Sequence, residues 1–295
     1  MTSESAIASG PFVSRLASAV ARKGNPCSVG LDPDPALMPS WLIDRREPKG
    51  VLVKFGEIVI DAVAGLVPVV KPQSAFYEAF GSEGIAALET TMAYAREKGL
   101  IVLLDVKRGD IGSTSKAYAR AYLHRGGSGL EADAITLNPY LGRDSLEPFV
   151  DAAYEFGKGV FVCVMTSNPG AGDVQKLQSE GRPVYRHVAE MVGVLSRRDG
   201  EEFGPIGIVA GATYAAEGIA LREMLPRSII LVPGLGAQGG ATAHLRDLVG
   251  PSGHGAIVNS SRGITYPNSD CPDEAAYGGA IRQAALDFIR TVTGS

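Results

Sequence analysis

Histidine, cysteine and tryptophan are scarce in this chain of 295 residues: it holds four, three and one of them. The cysteines, Cys27, Cys163 and Cys271, are odd in number and lie far apart. That excludes a disulfide framework and a paired-cysteine zinc site, and it fits a reducing cytoplasm. His124, His187, His244 and His254 share no ligand spacing, so no metal site is expected. The chain also lacks a basic excess. Its 28 Lys and Arg stand against 32 Asp and Glu, for a net charge of −4, which argues against nucleic acid as a partner. No apolar run approaches the roughly 20 residues that a membrane span needs. The opening MTSESAIASGPFVSRL lacks the basic-then-apolar layout of a secretory signal. No Ser-His-Asp or Cys-His grouping supports nucleophilic hydrolysis.

What is present is an alternation. Eight short, mostly apolar runs recur: 27–32, 67–72, 100–107, 133–138, 159–167, 206–211, 228–234 and 255–261. Their near-continuous hydrophobicity suits strands buried on both faces. Helical patterns lie between them, among them 86–98, 115–124 and 215–225. The expected fold is a single (β/α)8 TIM barrel over 1–295. The rival is an open doubly wound sheet. It often carries G-x-G-x-x-G after the first strand, where this chain has Gly30-Leu31-Asp32-Pro33-Asp34. Two stretches, 168–183 and 266–279, read as irregular loops.

In such a barrel, chemistry gathers at the C-terminal strand ends. The densest cluster there is Asp105-Val106-Lys107-Arg108-Gly109-Asp110. Asp105 and Lys107 are two apart on a strand and share a face. Lys71 ends the preceding strand. Lys71, Asp105, Lys107 and Asp110 can therefore alternate in sign, each holding the next ionised. The plainer alternative is a pair of structural ion pairs at the rim. After the seventh strand comes Pro233-Gly234-Leu235-Gly236-Ala237-Gln238-Gly239-Gly240, and after the eighth Ser260-Ser261-Arg262-Gly263. These are the two loops in which barrels commonly hold a phosphate, through backbone N–H groups and a forked guanidinium. Asp32 suits sugar hydroxyls or a simple turn. Ser167 and Asn168 suit a base edge or a turn. Asn138, Tyr140 and Gly142 read as structural, and Cys163 and Met165 as core.

These residues resemble the orotidine 5'-phosphate decarboxylases. Asp105-Val106-Lys107-Arg108-Gly109-Asp110-Ile111 matches their D-x-K-x-x-D-I signature. Lys71-Pro72-Gln73, Met165-Thr166-Ser167-Asn168, the 233–240 loop and Ser261-Arg262 resemble further motifs in the same order, in the manner of the extended bacterial branch. Gly112 and Ser261 depart from the proline and glycine common at those places. The resemblance implies decarboxylation of orotidine 5'-monophosphate to UMP and CO2, the last step of UMP synthesis, without metal or cofactor. It assigns Lys107 as proton donor at C6, Asp105 beside the substrate carboxylate and Lys71 to the network and ribose. Asp32 would take ribose hydroxyls, Ser167 the pyrimidine, and Gln238 and Arg262 the phosphate. Asp110, Ile111 and Thr114 would reach into the site of a second copy, making the active form a homodimer.

Three rivals stay open. Mg2+-dependent sugar-phosphate synthases or keto-acid decarboxylases share the barrel group and need a carboxylate for the metal, for which Glu78 is a candidate. A nucleotide-binding barrel without catalysis is another. A Schiff-base aldolase is the third, although flanking carboxylates would oppose the lowered lysine pKa it needs.

Overall fold

The computed structural model describes residues 10–44, 47–196, 202–211, 215–234, 245–267 and 271–294. Eight parallel strands close into a barrel. They are β1 (Cys27–Leu31), β2 (Val69–Pro72), β3 (Ile101–Arg108), β4 (Ala134–Leu137), β5 (Gly159–Met165), β6 (Ile206–Ala210), β7 (Ile230–Val232) and β8 (Ala256–Ser260). Each pairs with its neighbours in sequence, and β8 closes on β1 through Cys27↔Val258 and Ser28↔Asn259. All eight expected runs are strands. β7 is shorter than the 228–234 expected, because Pro233 and Gly234 have already left the ladder.

The alternation of side chains builds two cores. Ile101, Leu103, Ala134, Phe161, Leu231 and Ile257 point into the barrel, and the helix Phe12–Lys23 plugs its lower mouth with Phe12, Leu16 and Val20. Phe12 meets Phe161 edge to face, with ring centroids 6.0 Å apart. Arg15 fastens the plug to Asp133 at 2.7 Å. Val29, Val70, Leu104, Val106 and Ile135 point outward, under the ring of helices. The plug fills the bottom of the barrel, so open space remains at the C-terminal strand ends.

The two irregular stretches are more ordered than the sequence suggests. Within 168–183, a 3-10 turn (Pro169–Asp173) precedes an antiparallel pairing of Gln178–Ser179 with Arg182–Pro183. In the second stretch a helix, Glu274–Thr293, begins inside the span read as irregular to 279. Asp273 caps it, accepting the N–H of Ala276 at 2.9 Å. Residues 268–270 lie outside the described residues.

Candidate active site

A cavity of about 330 Å³ opens at the C-terminal ends of the strands, reaching from Asp32 and Asn259 across to Lys71, Asp105 and Lys107. A larger hollow, about 520 Å³, lies at the opposite end, between the N-terminal helix and residues 246–253. Arg246 is the sole charged residue lining that hollow among the described residues.

Asp105 organises the first cavity. Its Oδ2 accepts the Lys71 ammonium at 2.9 Å and the Gln73 amide at 3.0 Å. Its Oδ1 accepts the Lys107 ammonium at 2.7 Å and the Thr136 hydroxyl at 2.7 Å. Four donors saturate the carboxylate. Lys71 and Asp105 have side chains only 5% and 9% exposed, while that of Lys107 is 49% exposed. One lysine is therefore a buried counter-ion, and the other stands at the mouth of the cavity.

Lys107 reaches Asp105 by an irregular route. The β3–β4 register shifts between Leu104 and Arg108, and Lys107 sits at φ +43. A lysine in the left-handed region is uncommon and costs energy. Plain strand alternation would have given both side chains one face. The structure uses a bulge instead.

Burial favours the neutral form of each interior group, and the neighbouring charges reverse that. Burial alone would lower the Lys71 pKa, yet the Asp105 and Asp32 carboxylates raise it above its ordinary value. Burial alone would raise the Asp105 pKa, yet Lys71 and Lys107 hold it well below the usual carboxylate range. The Cys163 thiol, inside β5, is pushed up to about 11, chiefly by burial. It stays a thiol at neutral pH, as a core residue should.

The fourth charge of the expected network stands apart. Asp110 joins no ion pair among the described residues. The chain turns at Gly109, packed against the Asn138 carbonyl, and the Asp110 carboxylate accepts the N–H of Ile111 at 2.8 Å. Ile111 and Thr114 are exposed. Gly112 sits at φ +51. A proline ring excludes that angle. Glu78, the candidate metal carboxylate, pairs with Arg108 and does not line the cavity. Among the described residues no three His, Cys, Asp or Glu side chains are grouped to hold a metal ion.

The facing wall differs. Asp32 Oδ1 and Asn259 Oδ1 are buried with no hydrogen-bond partner among the described residues. Asp32 is held through its backbone: the Tyr266 hydroxyl donates to its carbonyl at 2.8 Å and accepts the Asp34 N–H at 2.7 Å. Tyr266 is in turn stacked on Phe55. Gly30 must be glycine here, because a Cβ would lie 1.8 Å from the Ser261 hydroxyl. Ser167 lines the cavity, flanked by Thr166. Gln175, from the 168–183 loop, clasps Thr166: its Oε1 accepts the Thr166 N–H at 2.8 Å and its amide donates to Oγ1 at 2.7 Å. Arg262 opens a short helix beside Ser261 and is exposed. Gln238 lies outside the described residues. Thr136, Gln73, Asn259 and Tyr266 were not singled out from sequence. Only Gln73, two residues beyond Lys71 as Lys107 is two beyond Asp105, carried a local signal.

Residues 29–276 match the model of the orotidine 5'-phosphate decarboxylase / HUMPS family. A Rhodopirellula baltica protein named orotidine 5'-phosphate decarboxylase is 44% identical, covering 96% of this chain and 99% of its own. One of the same name from Streptomyces coelicolor is 41% identical, covering 97% and 99%. The solved structure of Leishmania donovani OMP decarboxylase superposes with a TM-score of 0.74 at 32% identity, covering 96% of this chain and 98% of that one.

Proposed function

We infer, from this chain's membership of the orotidine 5'-phosphate decarboxylase / HUMPS family, that it converts orotidine 5'-monophosphate to UMP and CO2, the closing step of UMP synthesis. The observation that carries the reading is the chain of contacts Lys71–Asp105–Lys107, running from a buried lysine to one at the cavity mouth. Breaking the bond from C6 to the carboxylate leaves an electron pair in the plane of the ring, where no π system absorbs it. Fixed charge must stabilise that pair. The Lys107 ammonium, hydrogen-bonded to Asp105, stands where it offsets the developing charge and then gives its proton to C6. Solvent reprotonates the half-exposed amine afterwards.

Lys71 and Asp105 keep one another charged, so Lys107 faces a carboxylate that stays ionised across neutral pH. Asp105 lies beside the departing carboxylate. Asp32 takes ribose hydroxyls, Ser167 the pyrimidine, and Arg262 with Gln238 the phosphate. No metal or cofactor takes part. The phosphate, remote from C6, contributes by ordering the 168–183 loop over the cavity and excluding water.

The enzyme works as a homodimer with shared sites, in the cytoplasm. The exposed Ile111, Tyr140 and Leu141 favour a partner surface. They sit on the two adjacent loops joined where Gly109 meets Asn138. Asp110 and Thr114 share that surface and enter the partner's site. No described helix is long and apolar enough to cross a membrane.

Turnover of orotidine monophosphate, with none of sugar phosphates in Mg2+, is expected; the reverse would favour a synthase. Mixing Lys107→Ala with Asp110→Ala chains should restore one native site per hybrid dimer. Absence of any recovery would remove the shared site.

A further inference from the structure

β3 abandons its ladder with β4 where the chemistry sits. Paired residues run Leu103↔Ala134 and Leu104↔Ile135, then resume only at Arg108↔Leu137. The skipped residues are Asp105, Val106 and Lys107. Asp105 still bridges to Gln73 on the β2 side, but the backbone N–H groups of Val106 and Lys107 have left the β4 ladder, and Val106 is buried at 5% exposure. A buried donor without an acceptor is costly. One side chain absorbs the problem. Thr136, itself 1% exposed, accepts the Val106 N–H at 3.0 Å and the Lys107 N–H at 2.9 Å on its hydroxyl oxygen. The same hydroxyl donates its proton to Asp105 Oδ1 at 2.7 Å.

We propose that Thr136 is the positioning residue of this site, fixing in one hydroxyl both the Lys107 backbone bend and the Asp105 carboxylate. The proposal rests on the reading of Lys107 and Asp105 given above. A hydroxyl has one proton and two lone pairs. All three are used within the protein, so the Thr136 hydroxyl has nothing left for a substrate although the residue lines the cavity. Its effect passes through its partners. Lys107 at φ +43 is a strained residue, and such a conformation persists only where surrounding bonds over-determine it. The two N–H bonds to Thr136 supply that constraint. The bond to Asp105 sets the oxygen that also holds the Lys107 ammonium at 2.7 Å. One side chain of the neighbouring strand thus fixes both ends of the proton donor, its amide and, through Asp105, its ammonium.

The test measures kcat and KM for orotidine monophosphate in wild type, Thr136→Val, Thr136→Ser and Thr136→Cys, with amide hydrogen exchange at Val106 and Lys107. Thr136→Val keeps the shape and removes the hydroxyl. Its kcat should fall about 10- to 100-fold, the worth of a charge-assisted hydrogen bond, with KM within about threefold. Thr136→Ser should retain kcat within about threefold of wild type, because only the hydroxyl matters. Exchange at the two amides should quicken in Thr136→Val and not in Thr136→Ser. If Thr136→Val fails to fold, Thr136→Cys decides, since a thiol bonds weakly and should lose kcat as well. Full kcat in Val or Cys, equal losses in Ser and Val, or unchanged exchange in Val would each overturn the proposal. A wild type without turnover would instead remove the decarboxylase reading, and the exchange arm alone would judge Thr136.

Discussion

The two walls of the cavity are built in opposite ways. On the β2–β4 side the polar groups are tied to one another: Asp105 takes four donors, and Thr136 spends its whole hydroxyl on the protein. On the β8–β1 side, Asp32 and Asn259 keep buried oxygens with no partner among the described residues. The first wall has met its organisational cost during folding, so its charges need no rearrangement when the reacting carbon arrives. The second wall carries groups suited to a polar ligand, held in place by backbone contacts such as that of Tyr266. Damage to the first wall should therefore lower kcat and stability together. Damage to the second should raise KM alone.

The largest expected effect is at Asp105. Asp105→Asn leaves Lys71 buried without the carboxylate it is bonded to, which costs on the order of 3–5 kcal/mol of stability. The kcat should fall roughly 10³-fold as the preorganised field is lost. Denaturant titration and steady-state assays check the two halves, and an unchanged stability would break the contrast between the walls. The pH dependence sharpens it. The folded pKa of Asp105 is depressed, so its contribution is present above the unfolded value of about 3.9 and is lost as pH falls through the folded one. The folded pKa of Lys71 is raised, so its contribution is present below about 10.4 and lost as pH rises through the folded one. The stability gap between wild type and Asp105→Asn should hold across neutral pH and narrow under acid.

Next in size is Arg262→Ala. Losing an arginine fork on a phosphate should raise KM about 10- to 100-fold, with the melting temperature near wild type because the side chain is exposed. A fall in thermal stability would show that Arg262 is structural. Asn259→Ala should raise KM severalfold and alter stability little, since it removes a buried oxygen that has no partner among the described residues. A large stability loss there would place Asn259 with the organised wall. The smallest effect is expected from Gln175→Ala, which unclasps the 168–183 loop from Thr166. It should raise KM by about two- to threefold and leave kcat in place, the worth of a modest neutral hydrogen bond.

How the two walls were read from sequence follows the same division. The strands were legible because residues such as Val69, Leu103 and Ile257 sit in unbroken apolar runs. Lys71, Asp105 and Lys107 were legible because charge at the end of such a run needs a reason. The bulge was not. Lys107 takes its left-handed angle from Thr136 on the next strand, a residue of ordinary type in an ordinary strand. Within one chain Asp110 pairs with none of Lys71, Asp105 and Lys107, and the resemblance assigns it to the site of a second copy. Tyr266 was hidden by distance: it holds Asp32 from 234 residues along the chain. The helix from Glu274 was missed although Asp273 is a good capping residue, since the whole of 266–279 reads as loop.

The central claim is that Lys107, held by the organised wall, delivers the proton that completes a metal-independent decarboxylation. The most direct measurement follows the loss of orotidine monophosphate absorbance in excess EDTA, for wild type and Lys107→Ala. The account predicts undiminished wild-type turnover, and in Lys107→Ala a loss on the order of 10⁴-fold, the upper range for a positioned general acid. Turnover that needs Mg2+, or that survives in Lys107→Ala, would contradict it.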